Sequence, residues 1–325
     1  MHINRVFELS ITLDSDKFED VFSRCYCDDD FFDRDSEKFV DRSLADKGII
    51  VCYQSKQYKK KIIFTVDAAT LTSASLSNTE KLINKLEKRI TKYFYSEFTL
   101  EDFTLSALNL STSIDVGSRD KAADYLRVIR RIGKVKGFSP KGYDWLEENS
   151  SFCLRGNSNG INFMFYDLEH IVAHQLKNEE TDHKTIDKYT GVLQTQVHLT
   201  KPKAIRRYTC AYGTAEQITE LSEKCPAILM ENFSRIIPYG DFYKKDEAEQ
   251  IIRSKVTDVV LKRRMLRLLT LIPEKKSLLL AQKSMSYRHP NELLVEFAKI
   301  NLSPITISKR HNVKHLENLY TYLDF

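Results

Sequence analysis

Apolar and polar positions alternate with period two over residues 3–13, as the successive side chains of a strand require. Short, largely apolar runs over 48–54 and 61–67 read as two more strands. The last two flank a basic turn at Lys56–Lys60 and read as a hairpin. Residues 78–95 change to helical spacing, with Leu82, Ile83, Leu86, Ile90 and Tyr93 on one side and Ser77 or Asn78 as the cap. The same order then returns: a strand over 103–116 and a basic amphipathic helix over 121–132. A second hairpin pairs 151–155 with 161–166 around Gly156–Gly160, and a helix covers 168–176. A further strand is expected over 192–199, and a helix starts near Lys201. From about residue 213 the pattern is helical, over 214–224, 243–254, 257–272 and 291–300. The fold class expected is α+β. An antiparallel sheet with covering helices takes residues 1–210, and a mainly helical C-terminal lobe takes 211–325.

Composition narrows the class. Of 325 residues 42% are hydrophobic, enough for a sizeable core, and no run of about 18 apolar residues marks a membrane span. The N-terminus reads as a strand and not as a signal peptide. Six cysteines are scattered, with Cys25 and Cys27 a lone C-x-C that has no second pair at zinc spacing. These features imply a cytoplasmic protein with reduced thiols. Net charge is only +5, so its distribution matters more than its sum. Residues 14–38 are acidic, including Asp28–Asp30. Positive charge gathers at Lys59–Lys61, Arg127–Lys141, Lys201–Arg207 and Lys255–Arg267. Such clusters suit a phosphate backbone, though each also suits a solvated helix face.

Two segments carry candidate chemistry. In Gln194–His198 the alternation puts Gln194, Gln196 and His198 on one face and Leu193, Thr195, Val197 and Leu199 on the other. Imidazole binds transition metals, an amide oxygen is a weaker ligand, and Asp115 at the end of another strand could add a hard oxygen for Mg²⁺ or Mn²⁺. The second segment, Ile161–His170, ends its strand in Tyr166. Counting by two, Tyr166 shares a face with Asn162 and Met164, away from Ile161, Phe163 and Phe165. A phenol of ordinary pKa near ~10 attacks a phosphodiester only when deprotonated or metal-assisted. Asp167, Glu169, His170 and His174 are near enough in sequence to help. Tyr166 is equally readable as one half-buried sheet tyrosine among sixteen.

The ordered set Thr112–Asp115, the 156–160 turn, Phe163–Glu169 and Leu193–Leu199 resembles the rolling-circle replication initiators of plasmids and phages. Those proteins carry a T-R-I-D strand, a Y-D-K-x-x-E-like segment and an L-R-x-E-V-x-L strand in that order. Tyr239–Ala248 and Leu302–Ile307 are similar to tail segments of such phage proteins. The resemblance implies a sheet-based nicking endonuclease with a divalent metal and a tyrosine that becomes joined to DNA. On it, Tyr166 is the nucleophile with Asp167 beside it, and Asp115, Gln196 and His198 hold Mg²⁺ or Mn²⁺. Arg155, Lys201, Lys203, Arg206 and Arg207 steady the DNA, single-stranded or an origin hairpin. A homodimer and host replication proteins are the partners it implies. The chain departs from the pattern at Ser113, Leu168, Gln194 and Gln196, which stand for Arg, Lys, Arg and Glu. An amide in place of a carboxylate loses the charge that holds a hard cation.

Three readings stay open: a nicking enzyme, a non-catalytic nucleic-acid-binding relative, and a mobile-element factor acting on a protein partner. The Pro after Ser303 suits the start of a DNA-reading helix, but the β-branched run that follows argues against one. Nucleotide-binding loops are absent from the sequence, which has neither G-x-x-x-x-G-K-[ST] nor G-x-G-x-x-G.

Overall fold

A computed structural model of the chain describes residues 3–25, 38–56, 59–72, 79–143, 146–175, 186–287 and 289–323. Asp28–Asp30, Cys27, the Ser77 and Asn78 cap and the centre of the Lys56–Lys60 turn lie outside the described residues. Chain order runs β1 (Asn4–Leu13), α1 (Ser15–Cys25), β2 (Lys38–Asp41), β3 (Ile49–Lys56), β4 (Lys59–Asp67), α2 (Ala68–Thr72) and α3 (Thr79–Tyr93). Then come β5 (Thr104–Asp115), α4 (Arg119–Ile129), β6 (Phe138–Pro140), β7 (Ser151–Gly156), β8 (Ile161–Asp167), α5 (Leu168–Gln175) and β9 (Val192–Leu199). The architecture is α+β. Among the described residues the sheet has nine strands in the order β2-β3-β4-β1-β5-β9-β8-β7-β6. The β2–β3, β3–β4, β4–β1, β1–β5, β6–β7 and β7–β8 pairings are antiparallel. Contacts group the chain discontinuously, residues 3–111 with 198–228 and residues 112–197 with 229–325.

In the group made of 3–111 and 198–228, β1 and β4 pair Phe7 with Val66 and Leu9 with Phe64, all four fully buried. The helix α3 buries Leu82, Leu86 and Ile90, the stripe its spacing predicts. Phe64 packs edge-on against Tyr93 and Phe103 with ring centroids 5.5 Å apart. The helix α1 was not expected from the acidic stretch. Phe18 and Val21 are its buried anchors, and the Asp14 carboxylate accepts the Lys17 N–H at 2.8 Å at its start. Two anchors among many charges give too weak a period to read.

In the group made of 112–197 and 229–325, the Ser118 hydroxyl caps α4, which buries Ala122, Tyr125, Leu126, Val128 and Ile129. The β7–β8 hairpin pairs Ser151 with Tyr166, Cys153 with Met164 and Arg155 with Asn162. Helices Lys245–Lys255, Val259–Lys275, Leu278–Lys283 and Pro290–Lys299 follow. The segment after Ser303 is not helical. Ile305 and Ile307 are buried, and Ile307 bridges Lys244 in a parallel sense. The β-branched run is therefore extended core, not a DNA-reading helix. No helix among the described residues is long and apolar enough to cross a membrane.

Gly191 brings β9 to the end of β5. Its carbonyl accepts the Val116 N–H at 2.9 Å, and its φ is 75°, a left-handed value that favours glycine. A Cβ there would lie 2.4 Å from the Ser118 nitrogen. Gly191→Ala is expected to cost about 1–3 kcal/mol from backbone strain alone, before the collision is counted, as read from the urea midpoint.

Candidate functional site

The polar face of β9 forms as its alternation requires. Leu193, Thr195, Val197 and Leu199 are buried, and Gln194, Gln196 and His198 are half-exposed. The phenol of Tyr166 meets that face. Its hydroxyl is 2.8 Å from Gln194 Oε1 and 3.2 Å from Gln196 Oε1. One phenol hydrogen serves one acceptor at a time, so the two amide oxygens share it, with Gln194 the nearer. The two segments singled out in the sequence thus touch.

Tyr166 itself is only 6% exposed. Its face was expected to be the wetter one, but Leu146, Cys153, Met164 and Ile171 pack around it, with Tyr143 and Leu168 at the margin. The strand β8 is buried on both faces, because Phe163 and Phe165 fill the other. Burial pushes the Tyr166 phenol well above its ordinary pKa, and the neighbouring Cys153 adds to this. The Cys153 thiol is itself pushed up to about 11 by burial. The resting group is a neutral phenol, and neither amide can take its proton.

Asp167 turns its carboxylate to the helix that follows, accepting the Glu169 N–H at 3.1 Å at the start of α5. Burial raises its pKa first and the Glu169 charge second, while the backbone N–H groups of His170 and Glu169 pull it back. Glu169 is 7% exposed and forms a two-pronged ion pair with Arg119, whose Nε lies 3.1 Å from Oε2 and whose Nη2 meets Oε1. That hydrogen bond, then the Glu169, Asp167 and Asp187 charges, hold the Arg119 pKa above its usual value. Sequence reasoning missed Arg119 and gave Gln194 no role. Period-two counting had already put Gln194 on the right face.

The other expected residues scatter more widely. Asp115 is exposed, and its carboxylate accepts the Gly117 N–H at 2.8 Å. His198 follows Gln196 on the same side of β9. His170 lies 3.4 Å from Glu147, and His174 is exposed. Among the described residues no group of three His, Cys, Asp or Glu side chains could hold a metal ion. The Gln196 amide oxygen is turned to a phenol and is uncharged, so these donors do not fit a hard divalent cation. Arg155 is exposed on the face that carries Tyr166, paired with Asn162, about 13 Å along the strand at ~3.3 Å per residue. Lys201, Lys203, Arg206 and Arg207 are all exposed around a short helix, Pro202–Ile205, in the group made of 3–111 and 198–228.

No protein-family model matches the chain, and no curated protein does either. A solved structure of the rolling circle replication initiator protein from Geobacillus stearothermophilus matches at 12% identity and a TM-score of 0.30. The match covers 95% of this chain and 100% of that one. It is a distant structural resemblance, and nothing in the site rests on it.

The raised phenol pKa sets a pH dependence. A group whose folded pKa lies above its unfolded value stabilises the fold fully below the unfolded pKa and loses that contribution as pH rises toward the folded one. Wild-type protein is therefore expected to lose stability above pH ~10 more steeply than Tyr166→Phe. Urea unfolding of both between pH 8 and 11 reads the difference, from which the other buried tyrosines cancel because both proteins keep them.

Proposed function

We propose that this chain is a replication-initiator-like DNA-binding protein whose tyrosine site rests closed and neutral. Its substrate class is single-stranded DNA or an origin hairpin. The observation that carries the reading is the Tyr166 hydroxyl held by Gln194 and Gln196, which joins the two segments that resemble the initiators. Amides in place of charged partners hold the phenol as a hydrogen-bond donor. That arrangement supports recognition better than nucleophilic attack. The exposed Lys201, Lys203, Arg206 and Arg207 supply phosphate contacts, and Arg155 supplies one on the face of Tyr166.

A second reading is strand nicking and joining, favoured by the same meeting of Tyr166 with β9. The phenol oxygen would attack phosphorus, the P–O3′ bond would break, and the DNA would stay joined to Tyr166 through its 5′ phosphate. The phenol would lose its proton, and the departing 3′ oxygen would gain one. Departure from the closed state must come first, because the phenol is buried and an amide does not take its proton.

Labelled single-stranded oligonucleotides with Mg²⁺ or Mn²⁺, across a salt series, separate the readings. The expected outcome is salt-sensitive binding without a denaturation-resistant adduct. Replacing Lys201 and Lys203 together by Gln lowers the salt slope by about 1.4, about 0.7 per lost contact on a single strand. An adduct formed by wild type and absent in Tyr166→Phe would establish the second reading. Absence of DNA binding would overturn both. Gln196→Glu, which returns a carboxylate to β9, is expected to increase any cation-dependent cleavage.

A further inference from the structure

A second polar site lies on residues that the tyrosine site does not use. Arg127 and the pair Arg130 and Arg131 are three and four residues apart, so the helical turn at the end of α4 puts all three on one side. The tail segment Ser308–His311 turns back on itself, with the His311 N–H donating to the Ser308 carbonyl at 3.1 Å. Together Arg127, Arg130, Arg131, Ser308, Arg310 and His311 line one open cavity of about 450 Å³. All belong to the group made of 112–197 and 229–325.

The charges there do not balance. Asp124 pairs with Arg127 at 3.0 Å, and Glu148 lies 3.4 Å from Arg130, which also donates to Asn149 at 2.9 Å. Arg131 and Arg310 have no ion-pair partner among the described residues. Two buried atoms of these residues also lack hydrogen-bond partners among the described residues, Arg131 Nε and His311 Nδ1. Nε of an arginine is always a donor, and a buried donor without an acceptor costs free energy. The uncompensated charge is felt nearby. Burial lowers the His311 pKa, and Arg127, Arg131 and Lys244 lower it further against Asp124.

An oxyanion answers each of these features. It offers several acceptors at once and suits the planar forks of arginines. A planar carboxylate presents two oxygens, whereas a tetrahedral phosphate presents oxygens to guanidinium groups on both walls. We propose that Arg127, Arg130, Arg131, Arg310 and His311 form a binding site for a phosphate group. The phosphate comes from a nucleic-acid 5′ end, an internal phosphodiester or a small phosphorylated molecule. The site is separate from Tyr166 and holds whether or not that tyrosine reacts.

The test uses the full chain. Thermal unfolding in sodium phosphate is compared with sodium chloride at matched ionic strength, for wild type, Arg310→Gln and Arg131→Lys. Phosphate should raise the wild-type Tm saturably. Arg310→Gln, an exposed position with no ion pair among the described residues, should weaken the apparent affinity roughly 10-fold or more, the scale of one charge-assisted hydrogen bond. Arg131→Lys keeps the charge but loses the Nε donor and should weaken it too.

Binding of the trinucleotides TpTpT and pTpTpT identifies the source. Tighter binding of pTpTpT, lost in Arg310→Gln, assigns a 5′ phosphate. Equal binding of both, weakened in the variant, assigns an internal phosphodiester. Saturable phosphate binding with no detectable binding of either trinucleotide assigns a small phosphorylated molecule. No phosphate effect at matched ionic strength, or one unchanged in both variants, overturns the site. Longer single strands that still bind these variants with salt sensitivity would leave the DNA-binding reading standing.

Discussion

The tyrosine site of this chain depends on the period-two alternation of β9. Thr195 and its apolar neighbours occupy one face completely, which forces Gln194 and Gln196 to the other. A shift of one residue in that strand would bury the amides and turn Leu193 and Val197 outward, a change the core could not accommodate. Register is therefore fixed by packing, and the polar pair that meets Tyr166 follows from it. Gly191, with its left-handed backbone and its bond to Val116, sets where that register begins.

The consequence for chemistry is a neutral site. A phenol in an apolar cluster resists ionisation, and amides compensate its polarity without taking its proton. The Glu169 carboxylate, in the first turn of α5, is already paired with Arg119. The first half of the chain offers an internal comparison. There β4 also ends in an aspartate that begins a helix, Asp67 accepting the Ala69 N–H at 2.9 Å. The residue before it is Val66, fully buried. The strand–aspartate–helix unit thus holds its shape without a tyrosine. Tyr166 adds chemistry to a local frame that does not need it.

Much of this was legible in the sequence, for identifiable reasons. Strands with clear alternation, such as β1, β8 and β9, and the helix α3 with Leu82, Leu86 and Ile90, announce themselves. Short elements do not. The strands β2 and β6, with four and three residues, are too brief to show a period. The helix α2 has five residues and is also too short. At the site, the meeting of Tyr166 with the polar face of β9 could be anticipated from two periodic strands. The burial of Tyr166 could not, because Leu146 and Ile171 reach it from segments whose packing no local pattern reveals. Arg119 was hidden for a related reason, since its partner Glu169 lies fifty residues away.

The central claim is the contact between the Tyr166 phenol and the β9 amides. A double-mutant cycle measures it most directly: Tyr166→Phe, Gln194→Ala and both together, compared by equilibrium unfolding near neutral pH. The account predicts a coupling of about 1 kcal/mol, the usual net worth of a hydrogen bond between neutral groups. Strict additivity of the two substitutions would show that the phenol and the amide do not interact, and would contradict the site.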